Sequence, residues 1–155
     1  MNRFKILGAT LLLALSIPAF SQDLWQGAET GMSVEQIKEK FPNVVEPSAD
    51  DAKYGVSLNI PDYKVGLNNF KVRFLFRENG LERITMENKA GSASVGFSAM
   101  QKLLKTKYGE PLDSSSNSLG KNMSWLSNGT TITLLQFMDK LHITYRDNST
   151  ETDKL

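Results

Sequence analysis

The chain has 155 residues, of which 18 are Lys or Arg and 17 are Asp or Glu, so its formal net charge is +1. This near-neutral balance of mixed signs gives no electrostatic basis for binding nucleic acid or an anionic membrane surface. Cysteine is absent and His142 is the single histidine. A catalytic triad built on cysteine is therefore excluded, and one built on histidine requires His142.

Residues 1–21 have the layout of a secretory signal peptide. Two basic residues precede an apolar run from Ile6 to Ile17, and Ala19 and Ser21 are small residues at positions suited to a cleavage site. The run of about a dozen residues is shorter than the ~20 residues needed to span a bilayer. We therefore expect cleavage before Gln22, followed by export.

The lack of cysteine refines the expected location. Small exported domains of eukaryotes usually depend on disulfides, so a cysteine-free exported chain indicates the bacterial periplasm or exterior. Without a cysteine after the leader the chain is not expected to be a lipoprotein, and no later segment is apolar for long enough to anchor it in a membrane. Residues 22–147 are predicted to form a single domain, followed by a polar tail over 148–155.

The first predicted element after the leader is a helix that begins at Ser33. Ser33 is a good N-cap, Gln36 three residues later completes a capping box, and a proline ends the helix shortly afterwards. The polar stretch 47–53 predicts a loop. Its adjacent Asp50 and Asp51 are expected to be solvated and not to bind a metal.

A strand pair is predicted next, preceded by a short strand over 56–60 that ends at Pro61. Apolar residues alternate over 70–76, and Glu78-Asn79-Gly80 suits a three-residue hairpin loop with Gly80 in the left-handed position. The predicted register pairs Arg77 with Leu81, Phe74 with Ile84, Val72 with Met86, Arg73 with Thr85 and Lys71 with Glu87.

A second helix is predicted over about 94–108, with an apolar stripe along one side and stop signals at Gly109 and Pro111. The Ser-, Asn- and Gly-rich stretch 113–122 that follows predicts a loop.

Two tight turns predict a three-stranded meander near the C-terminus. Asn128-Gly129 is a common type I′ turn, and a second turn is expected at Asp139-Lys140. The first turn pairs Trp125 with Ile132 and Met123 with Leu134, and the second pairs Met138 with Leu141, Gln136 with Ile143 and Leu134 with Tyr145. One face of the meander then holds Trp125, Ile132, Leu134, Leu141, Ile143 and Tyr145. Its other face holds Leu126, Leu135 and Phe137.

These elements predict one α+β domain, with two helices packed on an antiparallel sheet of about five to six strands. Each half of the predicted domain has a helix followed by antiparallel strands. Two interpretations of this similarity stay open at this point: two α-β repeats, or a chance resemblance between short amphipathic elements.

Motifs of enzyme chemistry are absent from the sequence, including Gly-x-Ser-x-Gly, the glycine-rich phosphate loop and His-Glu-x-x-His. His142 lies on a predicted strand, beside Gln136 and Phe137, and such a histidine is commonly a surface or half-buried residue. Glu35 and Glu39, one helical turn apart, are typical of a solvated helix face. We therefore predict no catalytic, cofactor-binding or metal-binding residue and no enzymatic activity.

The apolar residues left outside the main core face indicate a function in binding another protein. That side of the sheet has an apolar surface formed by Leu126, Leu135 and Phe137, which is suited to binding a partner protein. An inhibitor, an immunity protein or an envelope-assembly factor would use such a surface. An alternative is a carrier of a small apolar ligand between helices and sheet, suggested by Phe97, Met100 and Trp125.

Two short segments resemble a known group of small exported bacterial proteins. Trp25-Gln26-Gly27 followed by Gly31-Met32-Ser33-Val34-Glu35-Gln36-Ile37 is similar to the G-M-S/T-x-x-Q-V opening of the SmpA/OmlA and β-lactamase-inhibitory-protein-like group. Lys107-Tyr108-Gly109-Glu110-Pro111 resembles the G-x-P that follows helices in that group. The resemblance implies helices on a short antiparallel sheet and a binding module, not an enzyme. The outer-membrane assembly members carry a lipidated cysteine, which this chain lacks.

Overall fold

The computed structural model describes residues 23–148, so the predicted leader and residues 149–155 of the predicted tail lie outside the described residues. The elements in chain order are β1 (Asp23–Trp25), β2 (Ala28–Glu29), α1 (Val34–Lys40), α2 (Ala49–Lys53), β3 (Val56–Val65), β4 (Asn68–Arg77), β5 (Gly80–Asn88), α3 (Ala93–Tyr108), β6 (Asp113–Ser116), β7 (Gly120–Ser127), β8 (Thr130–Phe137) and β9 (Lys140–Asp147).

Seven strands form one antiparallel sheet in the order β3-β4-β5-β9-β8-β7-β6, while β1 and β2 form a separate pair. The fold is α+β, as predicted, but the predicted two helices on five to six strands are wrong. The described residues hold three helices, and the main sheet has seven strands. The two halves also differ in content, because α2 and the β1–β2 pair occur only in the first half and β6 only in the second.

The core lies between one face of the sheet and the helices α1 and α3. Ile37 of α1 and Phe97, Met100 and Leu104 of α3 are buried in one cluster with the apolar residues of the strands. Trp125 is 1% exposed, and its Nε1–H donates a hydrogen bond to the Gly109 carbonyl oxygen over 2.9 Å. The six apolar residues predicted to share one face of the meander are all buried there.

Local signals at the helix ends are confirmed. Ser33 accepts a hydrogen bond from the Gln36 backbone, and the Gln36 side chain accepts one from the Ser33 backbone, which completes the predicted capping box. The second predicted helix is α3, which is capped by Ser92 and ends at Gly109 with φ of 83°, a left-handed value suited to glycine.

The first hairpin has the predicted pairs but a different turn. The confirmed pairs are Phe74 with Ile84, Val72 with Met86, Arg73 with Thr85 and Lys71 with Glu87. Arg77 pairs with Gly80 and not with Leu81, because Glu78 and Asn79 alone take the left-handed turn positions. A bulge further along the hairpin absorbs the extra residue, so the side chains return to their predicted faces.

The last hairpin is shifted by two residues from its predicted register. Phe137 pairs with Lys140 across a turn at Met138-Asp139, in place of the predicted pair of Met138 with Leu141. Because side chains alternate with a period of two, this shift keeps every residue on its predicted face. The preceding hairpin has its predicted register, with Trp125 opposite Ile132.

Three boundaries predicted from composition are wrong. The strand predicted to end at Pro61 continues to Val65, because β3 is an edge strand where proline's missing N–H needs no partner. The predicted loop 47–53 contains α2, which Ser48 caps through the Asp51 backbone. The predicted loop 113–122 contains β6, whose side chains are all exposed, so no apolar alternation marks it.

Candidate functional site

The face of the seven-stranded sheet opposite α1 and α3 is here named the open face. Of the described helices only α2 lies on it, at the β3 edge, where its Asp51 side chain accepts a hydrogen bond from Asn59 over 3.2 Å. Strand alternation and the observed pairing place these residues of the central strands on the open face: Arg83, Thr85, Glu87, Thr131, Thr133, Leu135, Phe137, Lys140, His142, Thr144 and Arg146.

A chain of ion pairs, the charged cluster, runs across the open face from α2 towards β9. Its members are Asp51, Lys71, Arg73, Glu87 and Lys140. Buried Asp51 accepts hydrogen bonds from Lys71 and from the Arg73 Nε, the latter over 3.0 Å. The Arg73 Nη1 lies 2.5 Å from a Glu87 oxygen, and the Lys140 Nζ lies 3.3 Å from the other Glu87 oxygen.

The charged cluster determines the protonation of its carboxylates. Burial by itself raises the pKa of Asp51, but hydrogen bonds from Lys71, Ser48 and Arg73 outweigh it and hold that pKa well below its ordinary value. Glu87 shows the same balance: burial raises its pKa, and the hydrogen bond and charge of Arg73 lower it further than burial raises it. Both carboxylates are therefore ionised at neutral pH.

His142 lies beside the charged cluster, opposite Glu87 on β5 and Leu135 on β8. The sequence correctly predicted its face but placed it beside Gln136 and Phe137, an error that follows from the two-residue shift of the last hairpin. Burial lowers the pKa of His142 below its ordinary value, while the negative charge of Glu87 acts in the opposite direction. The imidazole is therefore predominantly neutral at pH 7.

Two arginines lie directly opposite each other at the centre of the open face: Arg83 on β5 and Arg146 on β9. A cavity of about 340 Å³ is lined by both arginines and by Thr131, Thr133 and Thr144. On its other side Arg83 lines a second cavity of about 420 Å³, which the charged cluster and the α2 end border.

The three predicted partner-binding residues are all exposed on the open face. Leu126 is 49% exposed, Leu135 37% and Phe137 45%. Leu135 and Phe137 are two residues apart on β8 and form one apolar area. Leu126 pairs with Thr131 of β8. Thr131 is four residues from Leu135 along that strand, a distance of about 13 Å, so Leu126 lies apart from the other two. The structure therefore brings two of the three together and leaves Leu126 beside the arginines.

Sequence reasoning missed the residues that carry the charge of this face. Asp51 was expected to be solvated, yet it is buried against two cations. The sequence did contain a signal for the helix α2 that positions Asp51. Ser48-Ala49-Asp50-Asp51 has the Ser-x-x-Asp pattern of a helix start. Arg83 and Arg146 carry no comparable signal, since only the pairing of β5 with β9 brings them together.

The residues that suggested an apolar-ligand carrier are packed in the core. Phe97, Met100 and Trp125 are all buried. The cavity beside Met100, between α3 and the sheet, is about 160 Å³. That volume is below the ~300 Å³ at which small-molecule sites typically begin.

Residues 23–148 contain no group of three or more His, Cys, Asp or Glu side chains placed to hold a metal ion. None of the helices in the same range combines the length and apolar character needed to cross a membrane. Comparisons of the chain with protein-family models, with curated proteins and with solved structures gave no match.

Proposed function

We propose that this protein is an exported bacterial protein-binding module that acts through the open face, as an inhibitor, an immunity protein or an envelope-assembly factor, and that it is not an enzyme. The observation that carries the proposal is the combination of exposed Leu126, Leu135 and Phe137 with arginines on a sheet face that the described helices leave largely uncovered. The resemblance to the SmpA/OmlA and β-lactamase-inhibitory-protein-like group agrees with such a role.

The exposed apolar residues and the arginines of the open face support a role in protein contact. Protein interfaces are enriched in aromatic residues, Met and Arg and have a polar rim. Phe137 and the neighbouring turn residue Met138 are both exposed, and the Met138 N–H donates to the carbonyl oxygen of exposed Leu119. This end of the sheet therefore offers apolar area, while the arginines and the charged cluster supply polar contacts.

The proposed location depends on the leader. Residues 1–21 have the charge, apolar run and cleavage site of a signal peptide, so the mature protein is expected to begin at Gln22 in the periplasm or exterior. N-terminal sequencing of the protein from a periplasmic extract measures this directly. Recovery of intact Met1 from that extract would contradict export with cleavage.

The function is tested by affinity capture from a periplasmic extract with variants of matched chemistry. Leu126→Asp and Phe137→Asp place a charge on the open face. Leu103→Asp is the control, because Leu103 on α3 is also 49% exposed but lies on the other side of the sheet. We expect one protein to be captured in stoichiometric amount by the wild type and by Leu103→Asp, and to be lost from both open-face variants.

Circular dichroism and chemical denaturation establish that each variant is folded before capture is compared. Capture that is equal in all four proteins would place the interaction outside the open face. Loss with Leu103→Asp alone would move it to the α3 side, and either result would overturn the proposed mode of binding.

A further inference from the structure

We infer that Arg83 and Arg146 form a receptor for a carboxylate, which an Asp or Glu side chain of the partner protein inserts into the cavity beside them. This inference rests on the proposed function and identifies the chemistry of the partner. It starts from the observed register, in which the two arginines face each other across the central pair of strands.

The placement of these arginines is unfavourable for folding alone. Like charges directly opposite each other on neighbouring strands destabilise a sheet. Glu82 of β5 lies 3.2 Å from Arg77 and 3.9 Å from Arg146. Among the described residues Arg83 has no carboxylate within 4.0 Å. Arg83, which faces a second guanidinium and has no such carboxylate among the described residues, is explained by a negative group that arrives from outside.

The hydrogen bonding of Arg83 points the same way. Its Nε is shielded from solvent and has no acceptor among the described residues. A buried donor without a partner is costly, and nearly all such groups in native proteins are paired. An acceptor that reaches into the cavity would satisfy this N–H together with a terminal N–H of the same guanidinium.

The cavity has the shape and lining for a carboxylate. Its volume of about 340 Å³ accommodates a side-chain carboxyl group, and Thr131, Thr133 and Thr144 border it with hydroxyl groups. The planar guanidinium presents two parallel N–H groups that match the two oxygens of a carboxylate, whereas an ammonium group acts as a point charge. Asp147 and Asn148 also line the cavity.

Leu126 supports a protein as the source of the carboxylate. It pairs with Thr131, which in turn pairs with Arg146, so exposed apolar surface and positive charge adjoin in one row across the strands. An acidic side chain on a protein surface carries apolar neighbours that cover Leu126. A free oxyanion such as phosphate makes no use of that surface.

The test titrates a tetraglutamate peptide into the purified protein and follows the arginine Nε–H signals by NMR, with a tetraglutamine peptide as the control ligand. Inorganic phosphate at the same ionic strength forms a third arm. Arg83→Gln and Arg146→Gln remove one guanidinium each, and Arg83→Lys keeps the charge but loses the planar fork. Lys102→Gln, at an exposed position of α3, is the matched control for the loss of one positive charge.

We expect tetraglutamate to shift the Arg83 signal of the wild type and of Lys102→Gln, and its affinity to fall at least about tenfold in each arginine variant. Arg83→Gln should unfold at a temperature no lower than the wild type, because a like-charge pair is relieved and no ion pair of Arg83 among the described residues is lost. Equal weakening by Lys102→Gln, shifts with phosphate but not with the peptide, or no shift at all would each overturn the inference. If the Arg83→Gln and Arg146→Gln variants no longer bind the peptide but still capture a partner protein, the partner does not use this carboxylate site. That result would overturn this inference without contradicting the proposed protein-binding function.

Discussion

The two faces of the seven-stranded sheet are formed by alternate residues of the same strands, and they differ sharply. Under α1 and α3, Phe74, Trp125 and Leu134 are completely or almost completely buried. On the open face their neighbours are charged, hydroxyl-bearing or partly exposed, and Arg83 and Arg146 even face each other. Burial on one face stabilises the fold enough for the other face to carry some residues, such as Arg83 and Arg146, whose placement opposes folding.

The largest expected effect concerns the buried face. Trp125→Ala should lower the free energy of unfolding by about 3–5 kcal/mol, because it removes a large packed side chain and leaves a cavity. It also removes the hydrogen bond to the Gly109 carbonyl oxygen. Urea denaturation of the two proteins measures the difference. A change below about 0.5 kcal/mol would mean that Trp125 is not part of a packed core.

A smaller effect is expected at the edge of the open face, in the charged cluster. Asp51→Asn should lower the free energy of unfolding by about 1–3 kcal/mol, because Lys71 and Arg73 lose a buried carboxylate but retain some contact with water. Asp50→Asn is the control, since Asp50 is exposed and pairs with Lys53 on the surface of α2. Equal effects of the two substitutions would contradict a structural role for the cluster.

The contribution of Asp51 should also depend on pH. Its pKa is lower in the folded protein than in the unfolded chain, so the stabilisation is complete above the unfolded value and is lost as the pH falls through the folded one. The difference between wild type and Asp51→Asn should therefore shrink below about pH 4. A difference that stays constant from pH 7 to pH 2 would show that the carboxylate charge is not what stabilises the cluster.

The smallest effect is expected for His142→Gln, which should change the free energy of unfolding at pH 7.5 by less than about 1 kcal/mol and leave partner capture intact. Because burial lowers the pKa of His142 in the folded protein, the unfolded chain binds the proton first as the pH falls. The wild type should thus lose stability relative to His142→Gln below the ordinary value of 6.5. Loss of function in the folded variant would contradict both the binding hypothesis and the absence of a catalytic residue.

Local patterns were sufficient to predict which residues lie on which face. Period-two alternation assigned Leu134 to the core and Leu135 to the open face, and this assignment survived a turn that was wrong by two residues. The capping box at Ser33 and the stop at Gly109 were equally local, and they set the start of α1 and the end of α3.

What the sequence did not show depends on pairing between distant segments or on elements without apolar alternation. The contact of β5 with β9 places Arg83 against Arg146 and Glu87 against His142, and no motif within either strand specifies it. β6 was missed because an exposed edge strand of polar residues has no buried face. The open face was thus predicted as a location, but its charge arrangement was not.

The most direct test of the division between the faces compares two adjacent residues, Leu134 and Leu135. We expect Leu134→Ala to lower the free energy of unfolding by about 2–5 kcal/mol and Leu135→Ala by less than about 1 kcal/mol, because Leu134 is completely buried and Leu135 is exposed on the open face. Capture should follow the opposite order: Leu134→Ala retains the partner under conditions where it is folded, and Leu135→Ala weakens it. Equal losses of stability would show that the open face is packed, and unchanged capture by Leu135→Ala would contradict its role in binding.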